Sequence, residues 1–132
     1  MQQTKLNAHG MAIRFFMSAL AAAGIFVAAT QVAQATDSIA AIANNPDQFD
    51  KKSINVRGIV TQFTEHTSRL GVAYDTFTIC VDAAGACVPV FAWGRRLPIT
   101  NGKTVTVYGI YYLVNHNHGY AFPNEIEAGT VY

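Results

Sequence analysis

The sequence predicts an all-β fold: a small five-stranded barrel preceded by a short N-terminal helix. Three observations lead there. Residues 76–93 read as two alternating runs around a tight turn, because Thr76 to Val81 alternates polar with apolar and Val88 to Trp93 returns after Asp82-Ala83-Ala84-Gly85. Two further runs, residues 53–63 and 103–114, alternate in the same way and each carries an internal glycine, Gly58 and Gly109. Turn-forming clusters separate all of these runs at short intervals, the pattern of a sandwich or small barrel.

The N-terminal third is of a different kind. Arg14 is followed by FFMSALAAAGIFVAA and then by Ala33-Gln34-Ala35, a basic residue, an apolar run and an A-x-A site. That is the layout of a secretory signal peptide over residues 1–35, and the run is short against the roughly 20 apolar residues of a membrane span. Met11 stands directly before it, so residues 1–10 are an over-called start or a long n-region. The barrel domain is expected over residues 36–132, outside the cytoplasm in the periplasm or secreted, with no stable membrane span after cleavage. Cleavage removes Lys5 and Arg14 from nine basic residues while all eight acidic ones stay, which takes the net charge from +1 to about −1. A protein that lives on phosphate contacts shows a clear positive excess, and this domain does not.

Within the domain, Asp37 or Ser38 can cap a helical turn or two in which Ile39 and Ile42 share a face. Pro46 ends it, and Phe49 anchors it to the core. The first strand, residues 53–63, carries Gly58 as a bulge or bend. Residues 64–74 read as a polar loop. In the central hairpin, a four-residue loop sets Cys80 opposite Cys87 and Val81 opposite Ala86. Phe77, Ile79 and Val81 then share the core face with Val88, Val90 and Ala92. The other face carries Thr76, Thr78, Cys80, Cys87, Pro89, Phe91 and Trp93. Residues 94–102 form a broken connection, residues 103–114 a fourth strand and residues 115–119 a turn. The last strand is residues 120–131, with Pro123 at an edge or bulge.

The runs IAAIANNPDQFDKKSINVRGIV (residues 39–60), GKTVTVYGIYY (102–112) and GYAFPNEIEAGTV (119–131) together resemble bacterial OB-fold domains of the nucleic-acid-binding, anticodon-binding-like type and their exported relatives. The resemblance covers almost the whole domain and implies a five-stranded barrel that hosts many kinds of ligand. It brings no catalytic residues. The helix usual between the third and fourth strands is reduced here to residues 95–100.

Three features carry chemistry. Cys80 and Cys87 are the only cysteines, and in an exported chain two cysteines pair. A structural staple is the first reading and a redox or metal role the second, but C-x-x-C and C-x-x-C-H are both absent. Phe91 and Trp93 come next, flanked by Thr76, Thr78, Arg95 and Arg96. The resemblance implies that aromatics on the outside of the second and third strands form a stacking surface with a cationic rim. Against this stands a cover by the short helix or the signal-proximal segment, or a bulge at Pro89 that flips the register. The third feature is a set of metal-ligating types, Glu65 and His66 after the first strand with His116 and His118 near the fourth, which OB-type loops bring to one face. The plain alternative is a solvated turn. No nucleophile constellation, phosphate-cradling glycine motif or cofactor motif is present.

These features predict a non-enzymatic binding module using the outer face of strands two and three, with a protein, a glycan or a small molecule as partner. A single-stranded nucleic-acid binder and a metal-binding envelope protein are the alternatives.

Overall fold

The computed structural model describes residues 35–117 and 120–132. The expected signal segment up to residue 34 and His118 lie outside the described residues. Among the described residues, five strands close into a barrel in the order β1-β2-β3-β5-β4, with β1 at Ser53–Thr67, β2 at Ala73–Cys80, β3 at Cys87–Trp93, β4 at Thr104–Asn117 and β5 at Tyr120–Val131. A six-residue helix, α1 (Ile39–Asn44), precedes them. The expected small all-β barrel with one short helix is therefore the architecture observed.

Ser38 caps α1, its side chain accepting from the Ala41 N–H. Asp37, the other candidate cap, instead accepts from the Asn55 N–H (2.8 Å) and gives its own N–H to the Asn55 carbonyl (2.6 Å). Pro46 opens a 3-10 turn, Pro46–Gln48, and Phe49 packs half-buried against the core. Ile39 and Ile42 are buried. Gly58 makes their seat possible, since a Cβ there meets the Cys80 carbonyl, Ile39 Cδ1 and Ile79 Cγ1, all under 3.0 Å. The backbone bends here as well: β1 pairs with β4 through Ser53–Ile59 and with β2 from Ile59 onward. The β-bulge of this strand falls later, between Thr61 and Thr64, with Gln62 at φ 53°.

The central hairpin has the expected register, with Cys80↔Cys87 bonded, Phe77↔Val90 and Ile79↔Val88. Phe77, Ile79, Val88, Val90 and Ala92 belong to the core cluster. Val81 does not join them. It stands 50% exposed past the last paired position, where the barrel wall has ended. The loop is closed by the Val81 N–H to the Ala86 carbonyl and by an Asx turn at Asp82.

Two expected loops are largely strand. Residues 64–67 and 73–75 pair as Thr64↔Thr76, Glu65↔Asp75, His66↔Tyr74 and Thr67↔Ala73, and only residues 68–72 turn, around the Ser68 hydroxyl. This two-stranded arm is polar because much of it has no core to cover, which is why it reads as a loop. Similarly β4 continues to Asn117 and β5 resumes at Tyr120. Pro123 sits opposite Val114, where β5 pairs with β4 alone, and the next residue, Asn124, has φ 52°. Residues 95–100 form no helix. Leu97 and Ile99 of this extended connection enter the core directly. α1 therefore seats at the Cys80 end of β2 and Leu97 at the Asp75 end. Among the described residues, no helix is long and apolar enough to cross a membrane.

Candidate functional site

Alternation puts Val90 and Ala92 in the core and leaves Phe91 and Trp93 on the outer face of β3. Phe91 is not part of the core cluster. Their neighbours come from register. Tyr74 lies opposite both Trp93 on β3 and His66 on β1, so three rings from three adjacent strands stand side by side. Adjacent strands are about 4.8 Å apart, and rings that stand up from the sheet meet face to face at near that spacing. The His66–Tyr74 centroids are 4.7 Å apart at 10° and the Tyr74–Trp93 centroids 5.5 Å at 26°. Phe91 completes the group, 5.9 Å from Trp93, 5.5 Å from Tyr74 and 6.4 Å from Phe122 of β5. Each such pair contributes roughly 0.5–1.5 kcal/mol beyond area burial.

This arrangement corrects the expectation of two open aromatics forming a flat patch. The rings turn their faces to one another. Phe91 keeps only 5% of its surface exposed and Trp93 is half-buried. The outer-face threonines support the ladder. His66 Nε2 is 2.9 Å from Thr76 Oγ1, and the Thr78 hydroxyl donates to Gln62 Oε1 at 3.3 Å. Tyr74 and Phe122 are absent from the sequence-derived site. Carrying the Cys80↔Cys87 register outward places Tyr74 against Trp93, a signal lost once residues 64–74 are read as loop. Phe122 had no such signal, because its approach depends on the twist of the β4–β5 arm at Asn124.

The two arginines do not form a cationic rim. Arg95 Nη2 donates to the carbonyls of Ala128 (2.9 Å) and Gly129 (2.7 Å), tying the β3–β4 connection to β5. Arg96 donates to Asp75 Oδ1 (2.9 Å), the Tyr74 carbonyl and Thr67 Oγ1. Asp75 is fully buried, and its second oxygen accepts the Leu97 N–H at 2.6 Å. The connection needs these anchors because it has no helix of its own to satisfy its backbone.

Of the candidate metal ligands, the described ones, Glu65, His66 and His116, form no metal-holding group. Among the described residues, no three His, Cys, Asp or Glu side chains converge. His66 stacks on Tyr74 with one ring nitrogen engaged, Glu65 is the next residue along an alternating strand, and His116 lies exposed opposite Ala121. His118 lies outside the described residues.

Beside the ladder, where β5 twists, Glu125 is buried and accepts from the Asn115 amide at 3.1 Å. Burial pushes its carboxyl above the ordinary range, the Asn115 bond opposes that, and the charge of Glu127 adds to it. Burial also raises Tyr111, helped by Asp50 and Asp47, and its hydroxyl donates to Asn124 Oδ1 at 3.1 Å. The twist is thus held by two side-chain contacts. Comparison of the chain with models of known protein families and with curated proteins finds no match.

Proposed function

We propose that this chain is an exported, non-enzymatic binding module whose site is the outer face of β2 and β3 between the β1–β2 and β4–β5 arms. The observation that carries the reading is the aromatic ladder of His66, Tyr74, Phe91, Trp93 and Phe122, built outside the core cluster. A barrel of this size already has an aliphatic interior, and the rings gathered on its outer wall, partly open at Tyr74, Trp93 and Phe122, offer a surface on which a ligand can stack. The Cys80–Cys87 disulfide supports an oxidising compartment outside the cytoplasm. The partner class is a protein, a glycan or a small molecule.

Single-stranded nucleic acid is the second reading, favoured by the same rings, since bases stack on such surfaces at about 1–3 kcal/mol each. The arginines weigh against it, because Arg95 is engaged by the carbonyls of β5 and Arg96, although its side chain is 40% exposed, is already paired with Asp75.

Trp93 is the only tryptophan and reports on the ladder from within. Its emission is titrated with oligothymidylate, a chitin oligosaccharide and short aromatic peptides, in wild type and in Tyr74→Ala. We expect one probe to shift Trp93 emission, and Tyr74→Ala to stay folded and bind that probe at least about tenfold more weakly, the loss of one stacking partner. The reading fails if no probe binds, or if Tyr74→Ala binds as wild type does. Steep weakening with salt, seen for the oligonucleotide alone, would select the second reading.

A further inference from the structure

The ring seated on Phe91 belongs to the chain itself. Phe122 lies 6.4 Å from Phe91 at an interplanar angle of 18°, a displaced stack. It comes from a part of β5 that pairs with β4 only, whereas β5 meets β3 at Val90↔Ile126 and Phe91↔Glu127. The arm is turned onto β3 by the positive φ of Asn124 and held by the Asn115–Glu125 and Tyr111–Asn124 hydrogen bonds. Phe122 remains 37% exposed, while the Phe91 beneath it is 5% exposed. The ring that covers the site is thus itself at the surface, on the outermost strand segment of the arm.

We propose that Phe91 is the principal seat of the binding site and that Phe122 is its built-in occupant, displaced when a partner docks. The inference rests on the binding reading above and names the partner's chemistry: an extended peptide segment presenting an aromatic side chain. The class follows from what already fills the seat. A phenylalanine on an extended backbone fits there, stacked on Phe91, which Tyr74 and Trp93 flank and which has Thr76 directly opposite on β2. A ligand that replaces Phe122 meets the same walls, and a second phenylalanine or tyrosine on a strand matches them in shape and polarity. The arm acts as a competitor in the same molecule. A tethered group has an effective concentration of order millimolar, so it holds off weak and accidental ligands and yields to a partner with contacts beyond the one ring.

The test is complementation. The probe is the free peptide acetyl-YAFPN-amide, the sequence of residues 120–124, followed by Trp93 emission with wild type and with Phe122→Ala. We expect the peptide to bind Phe122→Ala at least about tenfold more tightly than wild type, because the tethered competitor is gone. Acetyl-YAAPN-amide should not bind, and Phe91→Ala combined with Phe122→Ala should lose the peptide. Equal binding to wild type and Phe122→Ala, no binding to either, or retention by the double variant overturns the proposal. So does a Phe122→Ala chain that fails to fold, because Phe122 would then be part of the core. If Phe122→Ala takes up oligothymidylate or chitotetraose more tightly than the peptide, the seat is real but the peptide assignment is overturned. The two readings fail separately. Peptide binding that ignores Tyr74→Ala supports the Phe91 seat while removing the ladder from the site, and a Tyr74-dependent probe that leaves Phe122→Ala and wild type alike keeps the ladder and removes the occupant.

Discussion

Single residues decide the chemistry of this barrel where they are buried and polar. Asp75 and Arg96 show why residue type alone misled about the rim. An arginine pair after a strand reads as a free positive edge, yet a fully buried carboxylate must find its partners nearby, and Arg96 and the Leu97 N–H are those partners. Asp75 itself gave no sign in the sequence, because it fell between the stretch read as loop, residues 64–74, and the strand read from Thr76. Glu125 raises a different issue, that of pH. Its carboxyl titrates above the ordinary value near 4.5 in the folded chain, chiefly through burial. A raised pKa means the protonated form is favoured by folding, so the associated stability is fully present below 4.5 and is lost as pH rises through the folded value. Glu125→Gln removes that loss while the new amide oxygen still accepts from Asn115. Urea unfolding across pH should show the variant gaining on wild type above pH 4.5, with the difference at its largest near neutrality. A constant difference at every pH would assign the effect to packing instead.

At the scale of elements, the strands with one face on the core were legible and those without were not. β2 and β3 announce themselves because aliphatic residues alternate with polar ones over a closed interior, and the paired cysteines fix their register. The outer arms of β1–β2 and β4–β5 carry no such alternation, so His66, Tyr74 and the Asn115–His116 stretch passed for loop and turn. The site was therefore half visible: Phe91, Trp93, Thr76 and Thr78 on one face, without the rings that complete it. α1 illustrates an element held by a glycine rather than by its own length. Six residues make too short a helix to stand alone, and Ile39 reaches its place because Gly58 has no Cβ. Gly58→Ala should lower stability by about 1–3 kcal/mol, the range for overpacking a tight core, read as a shift in the urea midpoint. Gly129→Ala is the control, because a Cβ there meets only the Tyr108 carbonyl at 3.4 Å, and its effect should stay within about 0.5 kcal/mol. Equal losses at the two positions would mean that backbone preference rather than the seat of Ile39 sets the cost.

For the whole molecule, the fold class, the strand number and a closed barrel could be read from pattern, whereas the strand pair that closes it could not. The pairing that turns a curved sheet into a ring is the parallel contact of β3 with β5, and its only described register pairs are Val90↔Ile126 and Phe91↔Glu127. Nothing in a local alternation marks which strands meet after so long an excursion along the chain. That thin seam has a consequence for how the native state breathes. In amide hydrogen exchange, segments open with their own free energies, from fraying arms up to global unfolding. The β2–β3 ladder runs the full length of both strands and is stapled at one end, so its central amides should exchange only when the whole domain unfolds. The amides shared by β3 and β5 should exchange sooner, through a partial opening in which β5 leaves β3 while remaining zipped to β4. Phe122 travels with β5, so the same fluctuation that parts the seam uncovers Phe91, and the rate at which the barrel cracks open sets the rate at which its aromatic face becomes available.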